Sequence, residues 1–131
     1  MRAVRPLIPV FAPYAAPESA PVANDYDTRE FRADVRSWFA SLPVDWTWVE
    51  VTPDSVQKVV EAAANAARSR PVIVLNLCDG TEFDGYPGIS VVRALEAAGL
   101  ASTGADTRFY DISTSKLAMK KRFVAAGVST S

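Results

Sequence analysis

The sequence lacks histidine altogether and contains a single cysteine, Cys78, among its 131 residues. Without histidine the chain has no usual general base, no Ser-His or Cys-His nucleophile pair and no imidazole ligand for a metal. One cysteine excludes a disulfide within the chain and is typical of a reducing compartment, so we expect a cytoplasmic protein. Any chemistry must therefore come from carboxylates, lysines, arginines, backbone amides or a partner.

An excess of one charge and a long apolar run are also lacking. The 14 basic residues nearly balance the 15 acidic ones, which leaves a net charge of −1. No long-range field therefore attracts nucleic acid or an anionic membrane, and no stretch approaches the roughly 18 apolar residues of a membrane span. We expect neither partner. The 49% of hydrophobic residues suffices for the core of one domain over residues 1–131.

Apolar residues recur with the periods of strands and helices in turn. The segments predicted as strands are 4–11, 46–51, 72–77 and 100–103, and those predicted as helices are 28–41, 53–68, 88–98 and 114–126. The expected helix caps and stops are Asp27 with Glu30, Thr52, Ser113, Gly99 and Gly127. This alternation predicts an α/β fold: a three-layer α/β/α, Rossmann-like, mostly parallel sheet of about four strands.

Parallel sheets bind ligands beyond the carboxyl ends of their strands, so three predicted loops matter: 12–26, 78–87 and 104–112. The middle loop combines carboxylates with glycines, namely Asp79, Gly80, Glu82, Asp84 and Gly85. Such a loop suits a metal or an amine, but local composition alone favours a solvated acidic turn before a helix. Its glycines form neither a GxGxxG fingerprint nor a P-loop.

Other candidate residues are weaker taken singly. Cys78 follows a buried strand and has no histidine to activate it, which favours a packed thiol. Lys116 opens a helix, where a cation is slightly disfavoured by the helix dipole, and this suggests a phosphate contact. Taken alone, however, Lys116 is better explained as a solvated lysine. Glu18 and Ser19 lie in the proline-rich loop 12–26, where a substrate contact is conceivable but no pattern supports it.

Leu95-Glu96 precedes an apolar turn that ends in Thr103-Gly104, and eleven residues separate Gly104 from Lys116. In this spacing, residues 74–131 resemble the end of the N-terminal domain of D-alanine–D-alanine ligases and related ATP-grasp ligases. The family has a second lysine and a glycine further on, which correspond here to Lys120 and Gly127. Asp84-Gly85 resembles the end of the family's glycine-rich substrate loop.

The resemblance implies a pre-ATP-grasp domain, the N-terminal part of a longer ligase that activates a carboxylate as an acyl phosphate for attack by an amine. Lys116 would contact ATP phosphate, and substrate would meet the loop 79–85. ATP and Mg²⁺ would be held mostly by C-terminal ATP-grasp domains of the same chain, so we expect no catalytic residue and no metal ligand in this segment. A homodimer is compatible with the family.

Departures from the family pattern leave the substrate open. The family's loop histidine is missing, and the segment 12–26 replaces a serine-rich loop that carries a glutamate. D-alanine is therefore not assured, and the substrate is an amino acid or another small carboxylate. A free-standing α/β module that binds a small molecule or a protein without catalysis is the alternative, and a flavodoxin-like or receiver-like switch shares the alternation. A ligase domain should expose apolar surface where further domains dock.

Overall fold

The computed structural model describes residues 3–15 and 26–130. Within them the elements in chain order are β1 (Leu7–Pro13), α1 (Arg29–Ala40), β2 (Asp45–Val51), α2 (Val56–Ala66), β3 (Ile73–Asn76), α3 (Ile89–Ala97), β4 (Ala101–Ser102), α4 (Thr107–Ser113) and α5 (Lys116–Ala125). No helix in this part of the chain combines the length and the apolar character needed to cross a bilayer.

All four strands are parallel and lie in the order β2-β1-β3-β4. The β1–β2 ladder is continuous from Leu7 opposite Asp45 to Pro13 opposite Val51. The β1–β3 ladder is interrupted: a bridge joins Leu7 to Val72, and pairing resumes at Val10 opposite Leu75. Pro9 lies in this gap, and its missing N–H removes a ladder hydrogen bond.

Helices cover both faces of the sheet, which confirms the predicted three-layer α/β/α, Rossmann-like class. On one face Phe11, Val51 and Val74 are buried with residues of α2 and α3, including Val60 and Leu95. On the other face α1 buries Val35 and packs aromatic rings against β2. The ring centroids of Phe31 and Trp48 are 6.1 Å apart in an edge-to-face arrangement, and those of Phe39 and Trp46 are 5.8 Å apart. The carboxyl ends of the strands emerge between these layers.

Two helices begin at other residues than predicted, because nearby side chains form hydrogen bonds and ion pairs that the capping patterns did not predict. Thr28, not Asp27, caps α1 by accepting from the Phe31 N–H at 3.0 Å, since the Asp27 carboxylate pairs with Arg32 at 2.7 Å. α2 begins at Val56 rather than 53. The Ser55 hydroxyl accepts from the Thr52 N–H at 2.9 Å, which holds residues 52–55 in a turn before the helix.

The C-terminal third contains a helix that the sequence patterns did not predict. α4 occupies most of the expected loop 104–112, and α5 is capped by Ser115 instead of Ser113. Asp106 caps α4 by accepting from the Phe109 N–H at 2.8 Å. The predicted stops are confirmed, since Gly99 and Gly127 adopt positive φ of 67° and 78° at the ends of α3 and α5.

Candidate functional site

Two loops meet at the carboxyl edge of the sheet, one after β3 and one after β4. The Thr103 N–H donates to the Val74 carbonyl at 2.9 Å, and the Thr103 hydroxyl accepts from the Asn76 N–H at 3.0 Å. Asn76 in turn holds Cys78 through hydrogen bonds of 3.0 and 3.1 Å between its side-chain amide and the Cys78 backbone. The predicted site segments are thus joined directly at their bases.

The acidic loop closes on itself through two glycines. The Gly80 carbonyl accepts from the Ile89 N–H at 3.0 Å, so that residue 80 lies against the start of α3. A Cβ on Gly88 would lie 2.0 Å from the Gly80 oxygen, which no side chain can tolerate. Residue 88 must therefore be glycine, because the backbone of residue 80 approaches it too closely for a side chain. This contact between residues 80 and 88 closes the base of the loop.

Glu82 holds this loop from inside. Its carboxylate accepts from the N–H groups of Gly88 at 2.9 Å and Ser90 at 2.7 Å, which are orphan donors at the start of α3. Its backbone takes a positive φ of 74° to reach them. Burial raises the pKa of Glu82, but the hydrogen bonds from Ser90 and Gly88 and the charge of Arg93 outweigh it and lower the pKa below the ordinary value. Glu82 is therefore a loop-positioning residue, with its carboxylate already occupied.

Asp84 and Gly85 form the turn at the tip of the same loop. The Asp84 carboxylate accepts from the Tyr86 N–H at 3.1 Å, and Gly85 has a φ of 83°. Phe83 stands at this tip with 96% of its surface exposed. An aromatic ring in open solvent beside a loop of fixed shape is a candidate contact that the sequence patterns did not single out.

A pocket of about 260 Å³ opens between this loop, α3 and α4. It is lined by Asp79, Gly80, Thr81, Phe83, Ile89, Arg93, Tyr110, Asp111 and Thr114. Of the predicted substrate residues, Asp79 and Gly80 line it, whereas Glu82, Asp84 and Gly85 shape the loop behind it. Burial raises the pKa of Tyr110, and the charge of Asp79 adds to this, so the phenol stays protonated as a donor. The residues from α4 were missed because that helix was not predicted.

Charges of both signs line this pocket. Arg93 and Asp111 approach to 3.5 Å, and both side chains are more than half exposed. Such a pair is worth little to stability, so either member can turn to a ligand at low cost. The pocket thus offers carboxylates, a guanidinium, a phenol and aromatic surface, which is a set suited to a small polar molecule that carries both a cationic and an anionic group.

Cys78 takes no part in this pocket. Its thiol is buried and lies 3.7 Å from the Phe11 carbonyl. Burial, with a further contribution from the charges of Asp79 and Glu82, raises the pKa of Cys78 to about 12. The expectation of a packed rather than nucleophilic thiol is confirmed.

Lys116 lies on a second, separate groove of about 360 Å³ along α5. Its lining consists of Lys116, Met119, Lys120, Phe123, Val128, Ser129 and Thr130. Lys116 and Lys120 are four positions apart and share one face of the helix, whereas Lys121 lies outside the lining. α5 packs chiefly on α4, and the apolar side chains of Leu117, Phe123, Val124 and Val128 are 44–65% exposed. This surface joins two cations to an uncovered apolar patch.

A polar and aromatic cluster at the end of β1 was not apparent in the sequence. The Tyr14 hydroxyl accepts from Arg32 and from the Trp48 indole, both at 3.1 Å, and the Arg32 guanidinium lies 4.5 Å above the Trp48 ring. Burial raises the pKa of Tyr14, and a hydrogen bond with Asp27 and the charge of Asp27 add to this rise, which the bonds from Trp48 and Arg32 oppose. The three residues are 16 to 34 positions apart, so no local spacing could reveal the cluster.

Two further expectations concern metal ligands and the proline-rich loop. Across residues 3–15 and 26–130 there is no group of three or more cysteine, aspartate or glutamate side chains that could hold a metal ion. Glu18 and Ser19, predicted as substrate contacts, lie outside the described residues.

Comparisons with protein-family models, with curated proteins and with solved structures found no match for this chain.

Proposed function

We propose that this chain is the substrate-side N-terminal domain of an ATP-dependent carboxylate–amine ligase of the D-alanine–D-alanine ligase type. The observation that carries the proposal is the surface of α5, where the cations Lys116 and Lys120 border an apolar patch that nothing in the described chain covers. Large exposed apolar patches bordered by polar groups mark surfaces at which another protein surface docks. The occupant we propose is the ATP-grasp part of the same enzyme, and its phosphate-bearing ligand would lie beside the lysines.

The groove on α5 has the chemistry that a phosphate requires. Lys116 lies in the first turn of α5, and Lys120 lies one turn further along the same groove. Two cations beside the positive end of the helix dipole favour an anion there. Once the apolar patch is covered, water leaves the groove and the attraction between lysine and phosphate strengthens. ATP would supply the phosphate that activates the carboxylate. Mg²⁺ would need ligands from outside the described residues, which contain no suitable acidic group.

The pocket between α3 and α4 would serve the substrate side. Asp79 would orient a cationic amine, Arg93 would hold a carboxylate, and Tyr110 would donate a hydrogen bond from its protonated phenol. Glu82 would act indirectly, because it holds the loop that carries Asp79. The single buried cysteine suits the reducing cytoplasm, where we propose that the enzyme works.

The test measures ATP affinity in the full-length protein for Lys116→Ala, Lys120→Ala and Lys121→Ala. A hydrogen bond between charged partners is worth about 1.5–3 kcal/mol, so loss of Lys116 should weaken ATP binding by roughly 10- to 100-fold. Lys120→Ala should weaken it in the same direction. Lys121→Ala is the matched control, since it removes the same charge from the same helix outside the groove. Equal affinities for all three variants would refute the phosphate role.

A free-standing binding module remains the second candidate, and one observation favours it. The pocket between α3 and α4 is bounded entirely by residues of this domain, so it does not need another domain to form. In that case the 131-residue chain alone would bind a small zwitterion with full affinity, and Arg93→Ala would abolish binding without any ATP effect. As part of a ligase, the chain alone should show no turnover; measurable turnover would contradict the proposal.

A further inference from the structure

In the described part of the chain, the edge strand β2 has an outer row of backbone groups without partners. The Asp45 N–H donates to Pro6 and the Val51 carbonyl accepts from Tyr14, both toward β1. Because successive residues of a strand point their N–H and C=O groups to opposite sides, those of Trp46, Trp48 and Glu50 point away from β1. Within residues 3–15 and 26–130 no hydrogen bond satisfies them.

β2 also lacks the shortness, the proline and the lysine by which many edge strands avoid pairing. It is seven residues long and carries no proline and no lysine, and its sequence DWTWVEV is rich in aromatic and β-branched residues. The opposite edge of the sheet, β4, is only two residues long. Short strands, charged side chains (lysine above all), proline and bulges are the usual protection of an edge. β4 is protected by its shortness, whereas β2 has only the carboxylates of Asp45 and Glu50, and Asp45 is already paired with Arg5 and Arg70.

We propose that β2 pairs antiparallel with β2 of a second copy of this chain, about a two-fold axis through Trp48. The outward residues then match without a gap: Trp48 faces its own copy, and Trp46 faces Glu50. Each of these pairs exchanges two backbone hydrogen bonds, so every outward N–H and C=O of β2 finds a partner. A sheet of four strands thereby becomes a continuous sheet of eight.

The side chains are compatible with this pairing. In the two-fold register the acidic Asp45 and Glu50 lie opposite Val51 and Trp46, so no two like charges face each other across the axis. On the α1 side of the strand, Trp38 and Leu42 are 49% and 47% exposed. Their apolar surface borders the aromatic row on β2 and would be partly covered by the second copy. A two-fold contact of this sort is self-complementary by construction.

The inference is independent of the proposed function, because it uses no residue of either pocket. Its test is a matched pair of substitutions at one exposed position, Glu50→Pro and Glu50→Ala. The Glu50 N–H faces outward, so proline there removes a donor from the dimer while leaving the β1–β2 ladder intact. Alanine keeps the N–H and removes only the side chain.

Sedimentation equilibrium of the full-length protein should give a dimer for the wild type and for Glu50→Ala. Glu50→Pro should have a dimer dissociation constant at least roughly tenfold higher, because two symmetric hydrogen bonds are lost and the ring obstructs the approach. A wild type that is monomeric over a roughly hundredfold concentration range overturns the proposal. So does a folded Glu50→Pro variant that dimerises like the wild type.

Hydrogen exchange of the wild type keeps the proposal testable even if Glu50→Pro fails to fold. The amides of Trp46, Trp48 and Glu50 should become more protected as protein concentration rises. The amides of Thr47 and Val49 face β1 and should be protected at every concentration. Protection of Trp46, Trp48 and Glu50 that does not change with concentration would overturn the proposal.

Discussion

Removing the Glu82 carboxylate should loosen the loop that lines the pocket between α3 and α4. Glu82→Ala deletes two charge-assisted hydrogen bonds, of 2.9 Å to Gly88 and 2.7 Å to Ser90, and leaves two helix-start donors to water. Loss of a helix cap costs about 0.5–2 kcal/mol and a bond to a charged acceptor about 1.5–3 kcal/mol. Because the side chain is half-buried and water replaces part of the loss, we expect about 2 kcal/mol less stability.

Glycine at the same position separates the hydrogen bonds from the backbone strain. Glu82 has a φ of 74°, a conformation that costs a residue with a Cβ roughly 1 kcal/mol or more and costs glycine little. Glu82→Gly loses the same two bonds but removes this strain. It should therefore be about 1 kcal/mol more stable than Glu82→Ala, as measured by urea unfolding monitored through tryptophan fluorescence.

The pH dependence supplies an independent check on the same carboxylate. Its folded-state pKa is lowered from the ordinary 4.5, so the stability it contributes is present above that value and is lost as pH falls through the folded-state pKa. The difference in unfolding free energy between wild type and Glu82→Gln should thus be full near neutral pH and shrink below about pH 4.5. A difference that is constant with pH, or an alanine variant as stable as the wild type, would refute the capping role.

Two further predictions concern buried positions of the same region. Gly88→Ala should lower the unfolding free energy by more than about 3 kcal/mol in urea, because its Cβ would lie 2.0 Å from the Gly80 oxygen. Gly99→Ala is the control: Gly99 has a positive φ but open space around it, so the substitution should cost only about 1 kcal/mol. Equal costs for the two variants would contradict this account. Cys78, with a pKa of about 12, should react with a thiol reagent at pH 8 only as fast as the protein unfolds, whereas rapid labelling of the native protein would show that the thiol is not buried.

Periodicity predicted the layers of this fold because burial of one face dominates each long element. α1 and α3 were predicted within a few residues, and the alternation gave the parallel three-layer class. The first residue of each helix was harder to predict, because it depends on which side chain accepts a hydrogen bond from the free N–H groups of the first turn. Asp27 is drawn to Arg32, so Thr28 caps α1. That choice depends on the position of Arg32 one turn further along, which a capping pattern does not include.

The segments that form the candidate site were predictable from the sequence, but the contacts that each residue makes there were not. The loop after β3 and Lys116 were singled out from charge, glycine content and spacing. The sequence did not show that Glu82 binds the start of α3 while Asp79 lines the pocket, because Glu82 reaches Ser90 with a positive φ at a non-glycine residue. α4 was missed since part of its support comes from Glu96, whose carboxylate binds Thr107 at 2.6 and 2.7 Å from eleven positions away. Tyr110 and Asp111 were missed with it.

The central claim is that this domain serves an ATP-dependent ligase, and ADP release by the full-length protein tests it most directly. Amino acids and small carboxylates would be supplied singly and in pairs with ATP and Mg²⁺. The account predicts ADP release that requires both a carboxylate and an amine, and that at limiting ATP is strongly reduced in Lys116→Ala and kept in Lys121→Ala. No ADP release with any pair, or equal release by the two lysine variants, would contradict it.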